Sequence, residues 1–110
     1  MNNKKILLIL VLAMLPVLSA ASNVKKDKGL ALFKTYCWGC HHQTAVAFGP
    51  SFESIANKRN KGQIIAQIIN PEKNYKNLGY RINSMPSFSD LNSTQINELV
   101  KFIYKFKDKK

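Results

Sequence analysis

The stretch YCWGCHHQ, residues 36–43, contains both cysteines and both histidines of this chain. In a helical turn, side chains three positions apart lie on the same side. Cys37 and Cys40 therefore present two sulfur atoms to one object. His41 is turned by about 100° from Cys40 and can address a different part of that object. The fold around this stretch must leave room for whatever the three residues hold.

A haem satisfies this arrangement, because its two vinyl groups accept the thiols as thioethers while the imidazole reaches the central iron. Cys-x-x-Cys-His is the attachment signature of c-type haem. Three other uses of the cysteines fit less well. A thioredoxin-like redox pair needs a parallel sheet, and no strand is predicted here. A structural disulfide gives His41 no role, and residues 37–42 are too contiguous to surround a zinc ion tetrahedrally.

The N-terminal 21 residues have the composition of a secretory signal peptide. Two lysines precede a mostly apolar run of thirteen residues from Ile6 to Leu18, and small residues up to Ala21 provide a cleavage site. A membrane-spanning helix needs about 20 apolar residues, so this run is short for a permanent anchor. The sequence predicts a signal peptide at 1–21, export to the periplasm and one domain at 22–110. Retention of the segment as a membrane tether is the alternative.

A second iron ligand is predicted in the loop NSMPSFSDL. Met1 and Met14 belong to the predicted signal peptide, so Met85 is the methionine left in the exported chain. It lies in a polar stretch without periodicity, where core packing does not account for it. A His/Met pair is the ligation of electron-transfer haems, and the thioether favours ferrous iron. His42 cannot reach the opposite haem face, and we assign it to surface or local hydrogen bonding.

Hydrophobic periodicity predicts an all-α domain. Apolar residues recur at helical spacing in four segments, around residues 29–37, 52–56, 64–69 and 96–103. Asn92 and Gln95 form a capping signal before the last segment, and Asn70-Pro71 ends the third. Residues 71–91 are rich in Asn, Ser, Gly and Pro and are predicted to form one long functional loop.

The net charge of +11 comes from 17 Lys and Arg against 6 Asp and Glu, and it falls to +9 (15 minus 6) without the two leader lysines. A positive surface attracts acidic partners and speeds their encounter. We expect redox proteins with acidic docking surfaces as partners, and no nucleic acid. The C-terminal lysines either form part of the docking face or are the solvated side of the last helix. These lysines are Lys101, Lys105, Lys107, Lys109 and Lys110.

The chain resembles the class I cytochrome c family, in particular its small bacterial monohaem members. The resemblance runs from GLALFKTYCWGCH to LVKFIYKF and is carried by Cys37 to His41 and by the Met85-Pro86 pair. It implies a small class I cytochrome c fold of three to five helices packed around one covalently attached haem. Cys37 and Cys40 would attach the haem, His41 would be the proximal ligand and Met85 the distal one.

The resemblance also implies roles for residues outside these motifs. Gly29 and Phe33 match the glycine and aromatic residue of the family's first helix, which the last helix crosses closely near Leu99 and the run from Phe102 to Tyr104. Pro50 matches a proline whose carbonyl accepts a hydrogen bond from the axial imidazole, which fixes the ring. Candidates for the haem propionates rest on residue type alone. They are Tyr75, Tyr80, Arg81 and Asn83.

The expected function is that of an electron carrier, not an enzyme: a monomer that moves single electrons between respiratory redox partners. Membrane contact is expected only if the signal segment is retained. One alternative is a haem-based enzyme or ligand sensor with a labile Met85. Another is an electron-relay module of a larger oxidoreductase complex. The apolar residues expected around the haem are Phe48, Phe52, Ile55, Ile65, Phe88 and Leu91.

Overall fold

The computed structural model describes residues 26–108. The signal peptide predicted at 1–21 lies outside this range. Residues 26–108 contain helices and no strand, which confirms the all-α prediction. In chain order the helices are α1 (Lys28–Leu32), continued by a π-helical turn (Phe33–Cys37), α2 (Phe52–Lys58), α3 (Lys61–Ile69), α4 (Pro71–Asn74), a 3₁₀ turn (Tyr75–Leu78) and α5 (Ser93–Tyr104).

Polar side chains fix where the longer helices begin. The predicted cap of α5 is confirmed, because Asn92 accepts the Gln95 backbone N–H and Gln95 accepts the Asn92 backbone N–H, both over 2.9 Å. Asn60 and Gln63 make the same reciprocal pair at the start of α3. Each pair satisfies two backbone donors that would otherwise lack partners at the helix end. Helices α3 and α5 therefore start at defined residues.

The prediction of one continuous loop over residues 71–91 was wrong for residues 71–78. Pro71 occupies the first turn of α4, where its missing N–H costs nothing, and the Asn70 side chain accepts the Lys73 backbone N–H. A 3₁₀ turn follows directly. Four-residue elements are too short to produce a hydrophobic period, which is why the pattern did not reveal them.

The first and last helices cross at a glycine. A Cβ on Gly29 would lie 2.6 Å from the carbonyl oxygen of Glu98 and 2.7 Å from the Cβ of Phe102, so no larger residue fits there without a shift. The Phe33 ring lies 5.2 Å from the Phe102 ring and 5.1 Å from the Phe52 ring. This crossing is the one that the resemblance implied, and it joins α1, α2 and α5 around one aromatic centre.

The hydrophobic core lies between α5 and the helices packed on it. Phe33 and Leu99 are each only 1% exposed and are among its largest buried side chains. No helix within residues 26–108 has both the length and the hydropathy to cross a membrane. The other core residues are Phe52, Ala56, Ile64, Ile68, Leu91, Ile96, Val100, Phe102 and Ile103.

Candidate functional site

A cavity of about 380 Å³ opens beside the core, with walls from the π turn, α2, α3 and the loops before α2 and α5. This volume falls within the usual range of roughly 300–1,000 Å³ for small-molecule and cofactor sites. Cys37, Cys40, His41 and Met85 all line the cavity. The structure therefore places the attachment motif and Met85, which are predicted to bind one cofactor, in the same cavity. Cys40 and Met85 are 45 residues apart in the sequence (85 minus 40).

The two cysteines and His41 are held together by the backbone of a tight turn. The π turn closes with a hydrogen bond from the Trp38 N–H to the Phe33 carbonyl over 3.0 Å, five residues back. The N–H groups of Cys40 and His41 then both donate to the Cys37 carbonyl, over 3.1 and 2.9 Å. Single π turns often occur at functional sites. This one ends at Cys37 and turns the chain so that the whole motif lines the cavity.

The thiols of Cys37 and Cys40 are not joined as a disulfide. Burial, and to a lesser degree the neighbouring Cys40, raise the pKa of the Cys37 thiol to about 11. Catalytic Cys-x-x-Cys pairs have the opposite property, because their nucleophilic thiol has a lowered pKa. The environment of Cys37 therefore does not resemble that of a thioredoxin-like redox pair.

The His41 ring is fixed by the loop that precedes α2. Its Nδ1 donates a hydrogen bond of 2.7 Å to the carbonyl oxygen of Pro50, the contact that the resemblance implied. A neutral imidazole that donates from Nδ1 keeps the lone pair of Nε2 free for a metal. Gly49 packs directly on the ring, and a Cβ there would lie 2.6 Å from Cε1. The N–H of Gly49 in turn donates to the Cys40 carbonyl over 2.7 Å, which ties this loop to the cysteine motif.

His42 does not line the cavity, and its side chain is exposed. Its backbone carbonyl accepts the Phe52 N–H over 2.9 Å at the start of α2. The residue thus contributes a local hydrogen bond through its backbone rather than a second imidazole at the site.

Met85 lies in an irregular segment, but its position is well defined by hydrogen bonds. The Asn83 side chain accepts the Met85 N–H over 3.1 Å and donates to the Met85 carbonyl over 3.0 Å. The Gln67 amide donates to the Met85 sulfur over 3.8 Å. Three residues further on, the Phe88 N–H donates to the Ile68 carbonyl at the end of α3, over 2.9 Å. The segment around Met85 is thus attached to α3 at several points.

The apolar walls agree with the expected set in four of six cases. Phe48, Phe52, Ile55 and Phe88 line the cavity. Ile65 does not, because the wall is formed by the α3 face that carries Ile64 and Ile68, and Ile65 is turned about 100° from Ile64. Leu91 is buried in the core instead of lining the cavity.

The rim of the cavity carries large apolar side chains that the protein itself does not cover. Phe48 is 78% exposed and Ile82 is 79% exposed, and both line the cavity. Exposed apolar groups beside an apolar cavity mark a binding site for an apolar ligand. Two thiols, an imidazole and a thioether are the donor set of a covalently attached His/Met haem. Both the shape and the chemistry of the site therefore fit a c-type haem.

Arg59 is a residue at this site that the sequence did not reveal. It lines the cavity, and its Nη2 donates to the Leu78 carbonyl over 2.8 Å. Its guanidinium carbon lies 5.7 Å from the centre of the Tyr80 ring. An arginine just after a short helix looks like an ordinary surface residue, and no local pattern distinguishes it.

Of the four propionate candidates chosen by type, Tyr75, Tyr80 and Asn83 line the cavity and Arg81 does not.

Comparison with known protein families gives a match over most of the chain. Residues 24–103 match the family model described as cytochrome C oxidase, cbb3-type, subunit III. The matched span is well over half of the chain and includes every residue that we predicted to bind the cofactor. No curated protein and no solved structure matches the chain.

Proposed function

This chain belongs to the cytochrome c family described as cbb3-type cytochrome c oxidase subunit III, and we propose that it carries single electrons between respiratory redox partners in the periplasm. Membership of the family means that the domain holds a covalently attached haem c and takes part in haem-based electron transfer. The ligands of the iron, the place of the domain in the cell and its role as a carrier are the parts that we propose.

One observation carries the proposal: the residues of the attachment motif and Met85 share one cavity. Cys37 and Cys40 would form the two thioethers, His41 would be the proximal ligand and Met85 the distal one. A haem held by these four residues would supply one-electron chemistry with the same two protein ligands, His41 and Met85, in both oxidation states. The hydrogen bond from His41 to Pro50 supports the proximal role, because it holds the ring in the tautomer that leaves Nε2 for the metal.

The attachment of the Met85 segment favours a carrier over a ligand sensor. A sensor needs a distal residue that moves away from the iron when a small molecule arrives. Met85 is held on both sides of its backbone by Asn83 and through its sulfur by Gln67. A ligand fixed in this way resists displacement and keeps the surroundings of the iron similar in both oxidation states.

Export to the periplasm is supported by the sequence of residues 1–21, which lie outside the described part of the chain. A positively charged start, a short apolar run and small residues are the three parts of a signal peptide. We propose a domain of residues 22–110 after cleavage, with the uncleaved segment acting as a tether if cleavage does not occur.

The proposed partners are redox proteins with acidic docking surfaces. The support is the net charge, which is +11 for the whole chain and +9 (15 minus 6) without the two leader lysines. Two of the C-terminal lysines also have a structural use, because Lys101 pairs with Glu98 and Lys105 with Asp27. Lys107 is exposed, and its side chain is in neither of these pairs. Docking therefore depends on the positive surface as a whole rather than on the C-terminal lysines alone.

A second candidate role follows from the description of the matching family, which names a subunit of an oxidase. In this role the domain relays electrons while bound to a larger oxidoreductase complex. Affinity purification of the tagged chain from membranes separates the two roles. Recovery with an oxidase at a constant ratio through washing at high salt indicates a bound subunit, and recovery alone indicates a diffusing carrier.

The test of the ligation is the optical spectrum of the haem-loaded protein in both oxidation states, for the wild type, Met85→Ala and Ser84→Ala. Ser84 also lines the cavity and is the adjacent residue, so it controls for disturbance of the loop. We expect a low-spin wild type whose ferric sulfur-to-iron band is absent from Met85→Ala and retained in Ser84→Ala. A high-spin wild type that rapidly binds carbon monoxide when reduced would contradict the proposal and favour the enzyme or sensor alternative.

A further inference from the structure

Gln67 is a polar residue on the apolar face of α3, and the proposed function assigns it no task. The α3 residues that line the cavity are Gln63, Ile64, Gln67 and Ile68, so two glutamines share the wall with two isoleucines. Buried polar groups are almost always hydrogen-bonded, so each glutamine in this wall should have a hydrogen-bond partner. Gln63 has one, since its side-chain oxygen accepts the Asn60 N–H in the helix cap. Gln67 takes no part in that cap.

Both ends of the Gln67 amide have partners outside its own helix. Its Nε2 donates to the Met85 sulfur over 3.8 Å, and its Oε1 accepts from Asn74 Nδ2 over 3.0 Å. The NH₂ group of Asn74 can donate only to the oxygen of the Gln67 amide. This bond therefore places the Gln67 Oε1 towards Asn74 and its Nε2 on the opposite side. Asn74 at the end of α4 therefore keeps the Gln67 NH₂ group directed at the sulfur.

We propose that Gln67, oriented by Asn74, is a positioning residue that holds the Met85 sulfur and tunes it as an iron ligand. The inference rests on the proposed function, in which Met85 is the distal ligand. A hydrogen bond donated to a thioether draws electron density from the sulfur and weakens its donation to the iron. Ferric iron needs that donation more than ferrous iron does, so the bond favours the reduced state. Hydrogen bonds to ligand atoms are one of the means by which proteins adjust a metal site.

The contacts of the Met85 backbone do not by themselves fix the position of its sulfur. Asn83 fixes the Met85 backbone, but it leaves the torsions of the flexible thioether side chain free. The Gln67 amide is the contact that reaches the sulfur itself. Asn83 thus fixes the backbone of Met85. Gln67, which is itself oriented by Asn74, fixes the position of the Met85 sulfur.

The test compares Gln67→Leu with Gln63→Leu in the haem-loaded protein, by midpoint potential and by the position and intensity of the ferric sulfur-to-iron band. Gln67→Leu keeps a branched side chain, one atom shorter than glutamine, and removes the donor. Losing one neutral hydrogen bond should shift the equilibrium three- to tenfold towards ferric iron, which lowers the one-electron potential by at most about 59 mV. Gln63→Leu makes the same chemical change one turn earlier on the same wall but removes no donor to the sulfur, so it measures the effect of polarity alone, and we expect it to lower thermal stability, to leave the band in place and not to lower the potential.

The sign of the shift separates a hydrogen bond from a change of polarity. A leucine makes the surroundings of the iron more apolar, and this alone would disfavour ferric iron and raise the potential. A fall in potential therefore supports the proposal, whereas a rise or an unchanged value overturns it.

Asn74→Ala provides a second variant that leaves Gln67 in place and removes only its orienting partner. We expect a smaller fall in potential and a broader band, because the amide is then free to turn. If Asn74→Ala leaves both the midpoint potential and the sulfur-to-iron band unchanged, Asn74 does not orient Gln67 and the proposal is contradicted. This test remains decisive if Gln67→Leu does not take up haem. Absence of the sulfur-to-iron band from the wild type would instead refute Met85 ligation, and the inference with it.

Discussion

His41 and Pro50 lie nine residues apart, and the Nδ1 atom of the imidazole donates a hydrogen bond of 2.7 Å to the Pro50 carbonyl oxygen. Because Pro50 acts through its backbone, the geometry of this bond depends on the loop rather than on the proline side chain. Gly49 is the part of the loop that touches the ring. It is therefore the position at which a mutation can disturb the imidazole without changing either hydrogen-bonding group.

We predict that Gly49→Ala displaces His41. The new Cβ would lie 2.6 Å from Cε1 and 2.9 Å from Nδ1, so the ring or the loop must shift. The expected result is a larger high-spin fraction in the ferric protein and a loss of stability of about 1–3 kcal/mol. Electron paramagnetic resonance and thermal unfolding measure the two effects. Gly39→Ala is the matched control, because a Cβ at Gly39 meets nothing within 4 Å; equal effects in both variants would contradict the close packing of Gly49 on the ring.

Gly29→Ala should destabilise the crossing of α1 and α5. Its Cβ would meet the Glu98 carbonyl at 2.6 Å and the Phe102 Cβ at 2.7 Å, and both groups belong to α5. We expect a loss of about 1–3 kcal/mol in urea unfolding, although alanine is the better helix former. Gly62→Ala in α3, whose nearest contact would be at 3.4 Å, should change stability by no more than about 1 kcal/mol. If Gly29→Ala unfolds at the wild-type urea concentration, the close approach of the helices is not needed.

Arg59→Gln is expected to lower the midpoint potential of the haem-loaded protein. Arg59 brings a guanidinium to the cavity wall, and a positive charge near the iron disfavours its more positive ferric state. Removal of that charge should lower the potential by up to about 59 mV, a tenfold change in the one-electron equilibrium. Arg81→Gln removes the same charge from an exposed residue that does not line the cavity, and it should have little effect. Equal shifts in both variants would indicate a general surface-charge effect instead of a local one.

The ion pair between Asp27 and Lys105 should make stability depend on pH in the acid range. The hydrogen bond from Lys105, followed by that from the Leu30 backbone, lowers the pKa of the Asp27 carboxyl from its usual value of 3.8. A carboxyl whose pKa is lowered by folding adds stability above the unfolded value, and that stability is lost as the pH falls through the folded value. The melting temperatures of the wild type and Asp27→Asn should therefore differ at neutral pH and converge below the usual carboxyl range. Asparagine keeps the helix cap, so only the charge is removed.

Lys105→Met tests the same pair from its other side. It should reproduce most of the effect of Asp27→Asn, because it removes the partner that chiefly lowers the carboxyl pKa, and the backbone hydrogen bond from Leu30 should retain a smaller pH dependence. A difference between the two variants and the wild type that persists unchanged at low pH would show that packing, and not the ion pair, accounts for their stability.

The positive charge of the protein should govern its reaction rates with charged redox partners. We expect oxidation of the reduced protein by an anionic inorganic reagent to slow as ionic strength rises, because salt screens the attraction. A cationic reagent should show the opposite trend, since the same salt screens repulsion. Stopped-flow measurements from low to moderate salt give both slopes. Rates that are independent of salt for both reagents would mean that charge does not steer the encounter.

The local sequence was enough to predict that this protein attaches a haem. Cys37, Cys40 and His41 are adjacent in the chain, so the spacing of helical side chains is enough to predict that they act on one group. The helix from Ser93 was predictable for the same reason, because its cap and its apolar period are local properties. Met85 was predicted as the second ligand because it is the methionine left outside the leader, and the resemblance to class I cytochromes c, whose family the match supports, added the particular arrangement of the helices.

Which distant residues surround that group could be seen only in the folded protein. Arg59 and Gln67 carry no local signal, because an arginine after one helix and a glutamine within another look like surface residues until the chain is folded. Their roles depend on contacts with Leu78, Asn74 and Met85, which are separated from them by 7–19 residues. A sequence pattern records the faces of one helix, whereas a cavity is defined by the packing of several, and that packing places one amide against one sulfur.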